Sequence, residues 1–147
     1  VPTYFAYGSN MSRVRLEHRV GVVQSLGRAR LSEHRHRFSK LGNDGSGKGN
    51  IEPHADASVW GVAYELDDDQ FARLTEFESG YRHTVLVVEL AASGMSVSAS
   101  SFVALNIVEA LEPRADYIEH YRIGMAEHEI PIDYRRQLLG TLAHLLG

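Results

Sequence analysis

The stretch Tyr4-Phe5-Ala6-Tyr7-Gly8-Ser9-Asn10-Met11 decides how the chain is read. An aromatic, apolar run stops at Gly8-Ser9-Asn10, and a polar segment of helical character follows over Ser12 to Arg19. That order predicts a buried strand, a tight turn and a helix start. Glycine at the corner allows a sharp turn or the close approach of a ligand. Ser9, Asn10 and Ser12 bring polar side chains and free backbone N–H groups to the helix entrance, where an anionic group such as a carboxylate is favoured. A capped strand-to-helix corner with no ligand fits the same residues equally well.

Outward from this segment, strands dominate the middle of the chain and helices the end. Val20 to Leu31 contains a strand, and Arg35 to Leu41 reads as another with a polar outer face. Gly42 to Asn50 is almost pure Gly, Asn, Asp, Ser and Lys, the composition of a mobile loop. Val59 to Leu66 is a strong strand, and Asp67 is the N-cap of a helix running to about Glu76. Thr84 to Ala91 and Ser96 to Leu105 form a hairpin around Ser93-Gly94. Asp116 to His128 and Ile132 to Leu146 read as two helices, the second opened by Pro131. The pattern predicts an α+β fold with a curved or closed sheet, in one domain over residues 1–147.

Composition narrows the function. The chain has 147 residues, enough for one domain with a proper core, and a net charge of −4. That charge argues against a nucleic-acid partner, with the basic stretch Arg28 to Arg37 as the local exception. There is no cysteine, hence no thiolate metal site or cysteine nucleophile. No apolar run reaches the length of a membrane span, and Val1-Pro2 leads directly into the first strand without a secretory leader. The expectation is a cytoplasmic protein with no membrane partner.

Several motifs offer chemistry and fall short of it. Gly42-Asn43-Asp44-Gly45-Ser46-Gly47-Lys48 matches seven positions of a phosphate-binding loop, but Gly49 stands where Ser or Thr should reach magnesium, and Pro53 spoils the following helix. His34 and His36 would share one face of a strand, yet no third ligand stands at useful spacing; a solvated basic face is the better reading. His128-Glu129 lacks a second histidine four residues on, and Ser9 sits in no nucleophile elbow. The segment Leu74-Thr75-Glu76-Phe77-Glu78-Ser79-Gly80-Tyr81-Arg82 ends a helix and precedes a strand. Carboxylates at a helix end oppose its dipole. Glu76 and Glu78 are two apart, so only one of them can enter a shared pocket. Alone, this segment reads as a solvated loop.

In combination the segments look different. Tyr4 to Met11 resembles the signature opening of the gamma-glutamylcyclotransferase family. Val59-Trp60-Gly61-Val62, Leu74-Thr75-Glu76-Phe77-Glu78 and Gly124-Met125-Ala126-Glu127-His128-Glu129-Ile130-Pro131-Ile132-Asp133-Tyr134 resemble later segments of that family, in order. The resemblance implies a mixed fold around a small β-barrel with flanking helices. It implies a pocket between the Tyr7-Gly8-Ser9-Asn10 loop and one catalytic glutamate, matched by Glu78. Tyr117 matches the family's pocket tyrosine, and Tyr81 is a further substrate-binding candidate. The implied substrate is a small gamma-glutamyl compound, cyclised to 5-oxoproline without metal or cofactor. Thr75 stands where the family usually has Asp, and Ser79 intervenes before the glycine expected after Glu78. Asn10 points away from the glutathione-degrading branch. A cyclotransferase acting on gamma-glutamyl amines and an inactive binding module are the rival readings. Oligomeric state is unreadable, and a homodimer is compatible with the sequence.

Overall fold

The computed structural model describes residues 2–142. Five strands, β1 (Thr3–Ala6), β2 (Gln24–Leu41), β3 (Gly47–Glu65), β4 (Tyr81–Leu90) and β5 (Ser96–Ala104), close a barrel in the order β1-β3-β2-β4-β5. Helices α1 (Arg13–Val20), α2 (Asp68–Glu76), α3 (Ala115–Glu127) and α4 (Ile132–Leu139) flank it, with short 3-10 turns at Ser9–Met11 and Gly140–Leu142. All ladders are antiparallel except the seam, where β1 meets β5 in parallel through the pair Tyr4–Ser100. No described helix is long and apolar enough to cross a membrane.

The aromatic run of β1 is apolar on both faces because both faces are buried. Phe5 and Tyr7 join Ala29, Leu31, Ile51, Val59, Ala63, Val88 and Ala99, a cluster built from the strands. Tyr4 and Ala6 point the other way and pack with Val62, Tyr64, Leu16, Leu74, Tyr121 and Met125, which joins strand to helix. This is the period of two expected of a strand. Each fully buried large side chain contributes about 1.5–3 kcal/mol. Two glycines allow the closest approaches. A Cβ on Gly61 would lie 2.4 Å from the Ala6 carbonyl oxygen, and one on Gly124 would lie 2.5 Å from the Met11–Ser12 backbone. Through Gly124, α3 lies directly on the turn that follows β1.

Local signals set the helix starts. The Ser12 side chain accepts a hydrogen bond from the Arg15 N–H and caps α1. Asp67 and Gln70 form a reciprocal capping box on α2.

Three expectations need correction. Val20–Leu31 and Arg35–Leu41 are not separate strands: β2 is one strand of 18 residues, bent by register shifts at Ser25/Gly27, Ser32/His34 and Arg37/Lys40. The Gly42–Asn50 segment is not a mobile loop. Only residues 42–46 turn, closed by Gly42 N–H to the Ser46 carbonyl (2.9 Å), and β3 begins at Gly47. Loop-like composition is overridden there by tertiary bonds: the Gly47 N–H donates to the Glu112 carbonyl at 2.7 Å, and Asn50 Oδ1 accepts the Ala104 N–H at 2.9 Å. Finally, α4 stops at Leu139 and passes into a 3-10 turn; the rest of the helix expected to Leu146 lies outside the described residues.

Candidate active site

A cavity of about 310 Å³ opens where the end of β1 meets the turn before β4, lined from both faces of the β1 run by Tyr4 and Tyr7. Tyr7, Gly8, Ser9, Asn10, Glu78, Tyr81 and Tyr117 all line it, so the residues singled out from the sequence converge on one place. They come from four stretches of the chain. The end of β1 and the 3-10 turn supply Tyr7 to Asn10, the α2–β4 turn supplies Glu78, β4 supplies Tyr81, and α3 supplies Tyr117.

Many of their polar atoms are committed to the frame. The Tyr7 hydroxyl donates to the Phe102 carbonyl across the seam at 2.5 Å. Ser9 Oγ accepts from Arg15 Nε at 3.0 Å, and Asn10 bridges Arg19 (3.4 Å) and the Tyr4 hydroxyl (3.1 Å). The Tyr81 hydroxyl donates to the Gly49 carbonyl at 2.6 Å, while the Gly49 N–H donates to the Tyr117 hydroxyl oxygen at 2.9 Å. Gly8 has φ −126°, so it is not required for a left-handed turn. What it avoids is crowding, since a Cβ there would stand 3.0 Å from the Tyr121 hydroxyl.

Other groups remain open to a ligand. The first bond of the 3-10 turn runs from Met11 N–H to the Gly8 carbonyl, leaving the Ser9 and Asn10 N–H groups outside its ladder. The Glu78 carboxyl has no hydrogen bond or ion pair among the described residues. Its backbone is fixed all the same: the Glu78 N–H donates to Thr75 at 3.0 Å, and its carbonyl accepts the Tyr81 N–H at 3.1 Å. Ser79 and Gly80 occupy the middle of that turn, and Gly80 carries φ +84°, a conformation suited to glycine. The extra Ser79 is thus absorbed within a tight turn.

Burial pushes the Glu78 carboxyl up to about 7, against the opposing pull of Arg19, Lys40 and Arg15. Glu78 is half-buried, its exposed fraction facing the cavity. Burial also lowers the Lys40 ammonium, which lies 5.1 Å above the Tyr81 ring and against Gly80. Arg15 and Arg19 stand one helical turn apart on α1, and Arg19 stacks 4.9 Å over Phe77. With Lys48, four cations line the cavity against the acids Glu78 and Asp44. The excess suits an anionic ligand.

Sequence reading missed these cations. The i, i+4 spacing of Arg15 and Arg19 immediately after the loop was a usable signal; Lys40 carried none, and Lys48 was read only as part of the phosphate-loop match. His36 is a further correction. It does not sit on a solvated face but turns inward, with Nε2 2.7 Å from the Tyr121 hydroxyl. Its neighbours Arg35 and Arg37 pair instead with Glu52, at 3.2 and 3.1 Å. Among the described residues no group of three or more His, Asp or Glu is placed to hold a metal ion.

A small closed barrel with an unpaired carboxyl opposite a Gly-Ser-Asn turn defines a recognisable class of protein. The chain belongs to the family described as gamma-glutamyl cyclotransferase, AIG2-like, whose model matches residues 4–124. Among solved structures it is similar to one titled gamma-glutamyl cyclotransferase, at 25% identity and a TM-score of 0.86, covering 93% of this chain and 85% of the other. It is similar to the human uncharacterized protein loc79017 at 26% identity and a TM-score of 0.84, covering 92% and 85%. A yeast gamma-glutamyl cyclotransferase specific to glutathione shares the fold at 12% identity, with a TM-score of 0.71 over 98% of this chain and 96% of that one. No curated protein matches by sequence.

Proposed function

We propose that this protein cyclises a gamma-glutamyl group to 5-oxoproline and releases an amino acid or amine, with Glu78 as the acid–base group. The observation that carries the reading is the Glu78 carboxyl: unpaired, facing the cavity opposite Gly8–Asn10, and raised to about 7.

The chemistry asks for little more. The substrate's α-amine attacks its own side-chain amide carbonyl, a C–N bond forms to close a five-membered lactam, and the original amide C–N bond breaks. Attack is intramolecular, and well-oriented groups reach effective molarities of about 10⁵–10⁸ M. The pocket must hold the folded conformer. The α-ammonium must lose a proton and the leaving nitrogen must gain one. A carboxyl near 7 takes the first proton and returns it to the leaving group. The open N–H groups of Ser9 and Asn10, with Arg15 and Arg19 behind them, suit the substrate carboxylate or the developing oxyanion.

The test is 5-oxoproline release from a panel of gamma-glutamyl amino acids, peptides and amines. Glu78→Gln is near-isosteric and cannot accept the proton, so its turnover should fall by at least about 10²–10⁴. Turnover of Glu78→Gln near the wild-type rate would reject Glu78 as the acid–base group and turn attention to Glu76.

A further inference from the structure

Lys40 and Lys48 occupy positions that cost the sheet stability. They stand directly opposite each other in the β2–β3 ladder, so their side chains leave the same face. Like charges in that relation repel. Both nonetheless line the cavity.

Each side chain is seated in the same way, on a glycine and a tyrosine ring. Lys40 crosses Gly80, where a Cβ would lie 2.7 Å from its Cε, and its ammonium sits 5.1 Å from the centre of the Tyr81 ring. Lys48 crosses Gly42, where a Cβ would lie 2.6 Å from its Cε, and its ammonium sits 4.5 Å from the centre of the Tyr117 ring. One peptide ties the two rings together: the Gly49 carbonyl accepts from the Tyr81 hydroxyl, and the Gly49 N–H donates to Tyr117. A ring face attracts an ammonium without neutralising it.

Counter-charge is short at this end of the cavity. Asp44 reaches Lys48 at 3.5 Å, but it also accepts the Ser46 N–H and hydroxyl at 2.9 and 2.6 Å and lies 4.0 Å from Arg114. Lys40 has no ion pair or hydrogen bond among the described residues. Arg15 and Arg19 are placed differently, bonded to Ser9 and Asn10 of the 3-10 turn. The cavity therefore holds two separate pairs of cations.

Lys40 also stands at the Glu78 turn. A Cβ on Gly80, two residues after Glu78, would lie 2.9 Å from the Lys40 Nζ. On the cyclotransferase reading Glu78 returns a proton to the leaving nitrogen, so the group that nitrogen carries comes to rest beside Lys40. In an α-amino acid a carboxylate is only two bonds from that nitrogen.

Resting on that reading, we propose that Lys40 and Lys48 form a second anion subsite, which holds a carboxylate on the leaving amine and makes a gamma-glutamyl α-amino acid a better substrate than the gamma-glutamyl derivative of an uncharged amine.

Gamma-glutamyl-alanine and gamma-glutamyl-alaninamide differ by this one charge and test the proposal. In kcat/KM for 5-oxoproline release, wild type should prefer the acid by about tenfold or more. Lys40→Met keeps the length of the stem and removes the charge, and the preference should fall to about twofold or less. Lys40→Arg should retain most of it. Lys48→Ala should lower the preference about threefold, since Asp44 already offsets part of that charge. Any change that Lys40→Met makes to the ionisation of Glu78 acts on both substrates and cancels in the ratio. A wild-type ratio near one, or a ratio that survives Lys40→Met or Lys48→Ala, overturns the subsite. If wild type releases 5-oxoproline from no substrate, the cyclotransferase reading fails, and calorimetric binding of the same two compounds decides the subsite. Tighter binding of the acid that is lost in Lys40→Met upholds it; equal binding, or none, overturns it.

Discussion

Replacing Glu78 by Gln should make the protein more stable at alkaline pH while removing its activity. In the folded protein the carboxyl ionises at about 7, against 4.5 for the free group. That difference disfavours the ionised form by about 3 kcal/mol. Below pH 4.5 both folded and unfolded chains hold the proton, and Glu78 adds no pH dependence. Between 4.5 and 7 the folded state holds more proton than the unfolded one, so stability falls as pH rises. Above 7 the full penalty is present. Gln carries none of it. Water in the cavity screens part of the effect, leaving an expected gain of about 1–2 kcal/mol for Glu78→Gln at pH 8 and little at pH 4.5. Urea denaturation of both proteins at the two pH values measures this directly. If Glu78→Gln is no more stable than wild type at pH 8, or gains equally at both pH values, the carboxyl is not held in the strained, buried state described above.

Further outcomes follow from neighbouring residues. Lys40 lowers the Glu78 carboxyl, so Lys40→Met should move the rising limb of the kcat/KM pH profile to higher pH, and Lys40→Arg should move it less; an unmoved or downward-shifted limb contradicts the assignment. Gly49→Ala drives a Cβ into the Tyr121 hydroxyl at 2.2 Å. A clash of that kind costs about 1–3 kcal/mol, or about 3–9 °C in Tm. An unchanged melting curve would show that the tyrosines move aside freely. Lys48→Ala should weaken substrate binding only modestly, and calorimetry with magnesium-ATP should show no saturable binding. Micromolar binding lost in Lys48→Ala would restore a nucleotide role to the Gly42–Lys48 turn.

The strand, turn and helix at Tyr4–Met11 were legible because each step has its own local signal: an apolar run, a glycine, a capping serine. The Glu78 turn was legible as a break but not as a site, because burial is decided by distant residues such as Arg19 and Lys40. For that residue the family resemblance, rather than the local sequence, pointed to the pocket. The strand at Gly47–Asn50 was illegible for a related reason. Its glycines read as flexibility, whereas Gly49 makes room for tyrosine hydroxyls from α3, some 70 residues away in the chain, and Gly47 for Leu111 and Phe38. His36 read as surface because alternation places His34 and His36 together. The two keep one register, His34 against Pro53 and His36 against Ile51, and it is the packing of Tyr121 from α3 onto His36 that separates their fates.

The seam of the barrel has a consequence for how the site comes into being. β2 with β3, and β4 with β5, are hairpins between chain neighbours and close with little loss of chain entropy. β1 must instead reach β3 about 60 residues away and β5 about 96 away, held to the latter by one ladder pair and the bonds of Tyr7 to Phe102 and Ser101 to Phe5. Non-local pairing of this kind forms late. The strand that delivers Gly8, Ser9 and Asn10 is therefore expected among the last elements to dock, and the cavity they line is complete only with the closing step of folding. A substitution that loosens the seam would open the Gly8–Asn10 turn well before it unravelled the hairpins, and the proposed activity would disappear from a protein that still carried most of its sheet.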